Sequence, residues 1–140
     1  MSRLVSIDYG LKRVGIAVTD PLRIIVTPLV TVGSSEVIPF LREYLKKENV
    51  KLLVVGMPNN LNGKESAMAA HVSKFVELLK KTFPTTTVKT HDERFTSSIA
   101  FGSMVQHGFK KKQRARKENI DMISAAIILN SFIDSEKNNI

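Results

Sequence analysis

Residues 3–32 read RLVSIDYGLKRVGIAVTDPLRIIVTPLVTV, and the punctuation of this stretch decides the fold. Three β-branched runs, Arg3 to Asp8 (RLVSID), Val14 to Thr19 (VGIAVT) and Ile24 to Val32 (IIVTPLVTV), are separated by a Gly-flanked basic connection and by Asp20-Pro21. Short runs of this kind bounded by turn residues predict strands, the first two joined as a hairpin. Pro fixes its own φ and restricts the residue before it, so Asp20-Pro21 predicts a turn. Pro28 has no N–H for a ladder and predicts an edge position for the third strand. The segment therefore predicts an antiparallel meander. It also leaves a question, because Asp8 places a carboxylate at the end of an apolar strand. There it would be a metal ligand, a phosphate contact or simply the first residue of an Asx-type turn.

The hydrophobic period then changes. Val37, Ile38, Leu41, Tyr44 and Leu45 recur at helical spacing, with Ser34 or Ser35 available as N-cap and Pro39 near the first turn. Lys51 to Val55 (KLLVV) is short and almost wholly apolar, as expected of a strand covered on both faces, and GMPNNLNG predicts a loop. Met68, Val72, Phe75, Val76, Leu79 and Phe83 form the stripe of a second helix, stopped by Pro84. Thr85 to Thr90 (TTTVKT) predicts a fifth strand, followed by HDERFTSS, where Thr96 or Ser97 would cap a third helix ending at Gly108. A last helix is expected from about Glu118 to Asp134, apolar nearly all round and so packed centrally against the sheet. The order βββαβαβαα predicts one five-stranded mixed sheet flanked by helices.

The 140 residues are expected to form a single domain. With no cysteine there is no disulfide framework, no thiolate chemistry and no Cys-based zinc site, which suits a reducing compartment. MSRLVSIDYG has too short an apolar stretch for a signal peptide, and no run reaches a membrane-spanning length, so the expected location is cytoplasmic, with no membrane partner. The net charge of +8 points to a polyanionic partner, most simply nucleic acid, against the plainer reading of a soluble basic protein. Six of the eight residues 110–117, KKKQRARK, are basic, so the excess is partly local. Aromatics are only 6% with no Trp, so backbone and shape recognition is expected over base stacking.

Three acidic positions fall where side chains could converge: Asp8 at the end of the first strand, Asp92-Glu93 after the fifth, and Asp121 in the first turn of the last helix. In open α/β sheets, sites gather beyond the carboxyl ends of the parallel strands. A carboxylate on an otherwise apolar helix needs a partner, and clustered carboxylates need a cation. An oxygen-only ligand set favours Mg²⁺ or Mn²⁺. Two such ions about 3.5–4 Å apart can activate a water and stabilise the leaving oxygen in phosphodiester cleavage. Each acid also has a plain reading. Asp8 would bond its own loop, Asp121 would favour the helix N-terminus, and Asp92 and Glu93 would point to opposite faces, so that only one is a ligand. His71, His91 and His107 are scattered; His91 alone is placed to assist.

Here the chain resembles the YqgF/RuvX family, described as Holliday junction resolvases or as pre-16S rRNA processing nucleases with a ribonuclease H-like fold. The resemblance runs nearly end to end, through IDYGLKRVGIAVTD at 7–20, VVGMPNNLNG at 54–63, HDERFTS at 91–97 and ENIDMISAAIILNSF at 118–132. It implies that Asp8, Glu93 and Asp121 are the catalytic acids that bind a divalent metal, Mg²⁺ or Mn²⁺. It implies that Gly10, Gly56, Pro58 and Gly63 shape backbone near the substrate, with Gly10 leaving space for a phosphate. Residues expected to contact nucleic acid are Gly10, Lys12, Arg13, Asn59, Arg94 and Thr96. Lys110, Lys111, Lys112, Arg114, Arg116 and Lys117 would rest on flanking phosphates, with binding that weakens as salt rises. Compared with the junction resolvases of this fold, the middle acid follows strand five, and strand four ends in Gly56-Met57-Pro58.

The leading expectation is a metal-dependent nuclease of structured nucleic acid that processes the 5′ end of pre-16S rRNA. One alternative is a DNA junction resolvase, which needs two symmetric cuts and hence a dimer. Another is an RNA-binding module whose acids are structural. D-x-G-x-x-x-x-G at residues 8–15 also occurs in actin-like sugar kinases and chaperone ATPases, but those enclose a nucleotide between two such domains.

Overall fold

A computed structural model describes residues 2–58, 67–92 and 117–138. Strands β1 (Arg3–Tyr9), β2 (Arg13–Thr19) and β3 (Val26–Gly33) come first. They are followed by α1 (Val37–Lys47), β4 (Val50–Met57), α2 (Ala69–Thr82), β5 (Thr87–Asp92) and α3 (Lys117–Asn138). The strands form one sheet in the order β3-β2-β1-β4-β5. β1, β2 and β3 pair antiparallel, while β4 is parallel to both β1 and β5. This is the expected five-stranded mixed α/β sheet. The helix expected over residues 96–107 lies outside the described residues.

β3 is an edge strand, and Pro28 sits opposite Ala17 next to a register shift in the β2–β3 ladder, so a missing N–H is tolerated there. Ile24 and Ile25, expected to open this strand, lie instead in the exposed loop before it. Asp20 organises that loop: its carboxylate accepts from the backbone N–H groups of Leu22, Ile24 and Ile25. The bond from Ile25, followed by those from Ile24 and Leu22, holds the Asp20 carboxyl below its ordinary value of 3.8 against a smaller opposing effect of burial. A depressed folded-state pKa means that the stabilisation is present above the ordinary value and is lost as pH falls through the lower one. Asp20→Ala should therefore lower the melting temperature at neutral pH, and the gap to the parent protein should close in acid. A gap that persists at pH 2 would show that the loop does not depend on the ionised form.

The two faces of the sheet differ in side-chain size, and this difference places the helices. On one face Val5, Ile7, Val14, Ile16, Val18, Leu53 and Val55 form the main core with Val37 and Leu41 of α1 and Val72, Phe75, Val76 and Leu79 of α2. On the other face the central strands present small residues, Ser6, Gly15 and Ala17, and α3 lies directly on them. Ala125 and Ala126 pack on Ala17, and the Ser6 hydroxyl donates to the Ala125 carbonyl at 2.5 Å. Farther along, Ile128 and Phe132 of α3 cover Val54 of β4. The helix thus crosses the sheet from β2 towards β5. Residues Ile123 to Leu129 are all buried, as expected of a helix that is apolar nearly all round.

Several boundaries move. β4 runs on through Gly56 and Met57, because both have ladder partners in His91 and Asp92 of β5. β5 starts at Thr87, since Pro84 and the two residues after it form a turn. α3 extends four residues past Asp134. The N-cap of α1 is Glu36, whose side chain makes no capping bond, rather than Ser34 or Ser35. Ser34 is used elsewhere: its hydroxyl donates to the Leu11 carbonyl at 2.7 Å and its N–H to the Lys12 carbonyl at 3.1 Å. Both bonds fix the β1–β2 connection.

Candidate active site

Asp8 pairs across the ladder with Gly15 of β2. Directly opposed residues share a face and have Cα atoms about 5 Å apart, so the Asp8 side chain leaves the sheet on the α3 side. Gly15 is where the helix comes closest. A Cβ built there would lie 2.0 Å from the Asp121 carbonyl oxygen and 2.8 Å from the Met122 nitrogen. The backbone of Asp121 therefore rests on the strand residue opposite Asp8. A glycine within a strand marks such a close approach of another backbone, and it was the available signal for this contact.

Asp121 is the fifth residue of its helix, one residue further in than expected, because α3 begins at Lys117. It has the partner that a carboxylate on this helix requires. Arg13, the first residue of β2, donates from Nε to Asp121 Oδ2 at 2.9 Å. The two side chains are 38% and 25% exposed, and a pair this open to water contributes on the order of 0–1 kcal/mol. Tyr9, Gly10, Leu11, Lys12, Arg13, Met68 and Asp121 line an open cavity of about 430 Å³. Two cations and a carboxylate thus border it at the carboxyl end of β1. A larger cavity of about 610 Å³ lies between the C-terminal ends of α1 and α2. It sits at the opposite end of the parallel strands, away from the acids, and the chemistry favours the smaller one.

Gly10 borders the smaller cavity, and the hairpin constrains it as well. A Cβ there would meet the Arg13 carbonyl oxygen at 2.6 Å, so the glycine is required by the hairpin turn itself. Asp92 shares its face of β5 with Val88, which packs on the α1–α2 core, and so points away from α3. His91 is on the α3 face, with Nε2 2.8 Å from the Ser131 hydroxyl and its ring edge-on to Phe132. Burial lowers its pKa, with Asp92 opposing. Ser131 is ten residues beyond Asp121, about 15 Å along a helix, so His91 belongs to the β5 edge and is not beside Asp121.

Among the described residues, no three His, Cys, Asp or Glu side chains gather into a cation cage. The implied third acid, Glu93, lies outside the described residues, as do Asn59, Gly63, Arg94, Thr96, Lys110, Lys111, Lys112, Arg114 and Arg116; Lys117 opens α3. The part that is described suits a hard divalent cation. Its donors are carboxylate oxygens, and Asp121 already holds a positive group, the Arg13 guanidinium.

Known proteins resemble the chain in sequence and in fold. The family model described as "RuvX: Holliday junction resolvase" matches residues 2–135. A protein of Amoebophilus asiaticus is 51% identical over 137 residues, covering 98% of this chain and 97% of its own. One of Flavobacterium psychrophilum is 44% identical over 133 residues, covering 95% and 97%. Both carry the name "Putative pre-16S rRNA nuclease". Among solved structures, Thermus thermophilus RuvC in complex with a Holliday junction substrate superposes with a TM-score of 0.59 at 14% identity, over 97% of this chain and 96% of that one. A second Thermus thermophilus RuvC structure gives 0.56 at 13% identity, over 96% of each chain. These two likenesses establish the ribonuclease H-like fold. With the family model spanning nearly the whole sequence and relatives near half identical over their full lengths, the chain belongs to the RuvX family.

Proposed function

We propose that this protein is a divalent-metal-dependent nuclease of structured nucleic acid, and that its task is trimming the 5′ end of pre-16S rRNA during ribosome biogenesis in the cytoplasm. The observation that carries this reading is that Asp8 and the backbone of Asp121 both adjoin Gly15, Asp8 as its ladder partner and Asp121 from the helix above, at the carboxyl end of β1. The names of the curated relatives support the RNA substrate. Asp8, Glu93 and Asp121 would hold Mg²⁺ or Mn²⁺, which when bound activates water and offsets charge on the leaving oxygen. Lys12 and Arg13 would hold a phosphate at the cavity rim, and the basic run at residues 110–117 would extend that contact along the strand. The chain would do this as a single domain.

Incubation with an RNA that carries the unprocessed 5′ extension of 16S rRNA should yield the mature end in Mg²⁺ or Mn²⁺ and no product in a chelator. Cleavage that survives the chelator, or none with either metal, would refute the assignment. A second reading, resolution of four-way DNA junctions, is favoured by the family description and the RuvC-like fold. It requires a dimer making paired symmetric nicks. A junction cut at paired positions by a dimeric species, with the RNA left intact, would select it.

A further inference from the structure

We infer that Arg13 is an exchangeable counter-ion of Asp121, held there until a divalent metal displaces it and then free to take a phosphate of the nucleic acid. The inference rests on the metal-site reading of Asp8 and Asp121. Three observations support it. The Arg13–Asp121 pair joins the first residue of β2 to α3 over 108 positions of sequence, yet remains substantially exposed, so it is weak enough to exchange. Arg13 and Asp121 both border the 430 Å³ cavity, so a released guanidinium need not leave the site to meet a substrate. Lys12 borders the same cavity, while Ser34 holds the carbonyls of Leu11 and Lys12, so the backbone that carries both cations stays fixed while a side chain moves.

Charge sets the direction of the exchange. A divalent cation on the Asp121 carboxylate places two positive charges beside a third, and like charges at contact repel. A freed guanidinium presents a planar fork that fits phosphate oxygens in a bidentate manner. Metal and nucleic acid would then bind with positive coupling, each raising the affinity of the other by the same factor. A purely structural Arg13, pinning α3 to the hairpin, would keep its bond whether or not metal is present.

The test uses the full-length ¹⁵N-labelled protein and Mg²⁺ alone. The Arg13 Nε–H resonance, assigned by its loss in Arg13→Lys, should move on Mg²⁺ addition to the position of solvent-exposed arginines. Arg13→Gln should bind Mg²⁺ about threefold more tightly, the exchange equivalent of a weak ion pair. Shifts in the backbone amides of Asp8, Tyr9 and Asp121 with an unmoved Arg13 resonance would overturn the inference and leave the metal site standing. No response from those amides would remove the metal site and the inference with it. Should Arg13→Gln fail to fold, the wild-type resonance decides alone.

Discussion

Gly15→Ala is expected to destabilise the protein by about 3 kcal/mol, lowering its melting temperature by roughly 10 °C. The added methyl would sit 2.0 Å from the Asp121 carbonyl oxygen and 2.8 Å from the Met122 nitrogen. Both are backbone atoms of α3, so no side chain can rotate aside. Either the helix lifts from the sheet or β2 bends. Overpacking usually costs about 1–3 kcal/mol, and a clash between two backbones belongs at the top of that range. Lifting α3 would also loosen the Ser6–Ala125 bond and the alanine contacts next to it, since they depend on the same close approach. The site should suffer as well, because Asp121 would move away from the strand pair that carries Asp8. Gly33→Ala is the control. Its Cβ would meet only the Glu36 Cδ at 3.8 Å, and its stability should change by no more than about 0.5 kcal/mol. Thermal and urea unfolding of the two variants would decide. Equal melting temperatures would mean that α3 does not rest on Gly15.

The two glycines show where sequence reasoning reached and where it stopped. Both stand in strands, and spacing alone does not say which of them touches another element. The meander was legible because β-branched runs and Asp20-Pro21 act locally. The helices were legible because their apolar stripes repeat at a fixed period. The edge position of β3 followed from Pro28, a residue with no N–H to give. Gly56 and Met57 were assigned to a loop because glycine punctuates chains, but their ladder to His91 and Asp92 extends β4. Residue type makes Ser34 or Ser35 available as the N-cap of α1, but Ser34 is bonded to the carbonyls of Leu11 and Lys12 in the hairpin connection. The candidate acids were visible as exceptions to apolar pattern. Their surroundings were not. The Arg13–Asp121 bond spans 108 positions and has no periodic signature. Strand alternation, once β5 was anchored by Val88 in the core, turned Asp92 away from α3, a step that needed the register and not only the sequence.

Asp8→Asn is expected to reduce metal-dependent cleavage by about 10³-fold while leaving the protein folded. The two side chains have nearly the same shape, and the position is at the partly exposed end of β1, so packing changes little. What changes is charge. A neutral amide cannot balance a divalent cation, and a bound metal supplies several kcal/mol of charge stabilisation in the transition state, each 1.36 kcal/mol of which is about tenfold in rate. The same substitution separates metal binding from catalysis through stability. At about 100 times its dissociation constant, Mg²⁺ should stabilise the parent protein by about 2.7 kcal/mol, because it binds only the folded chain. Asp8→Asn should lose most of that increment. If Asp8 were instead only a turn residue, the metal-free melting temperature would fall and the Mg²⁺ increment would remain. A double variant with Asp121→Asn should be scarcely less active than either single one, since ligands of one ion act as a unit. Losses that multiply would place the two acids in separate roles, and Asp8 would then have to be assigned without Asp121.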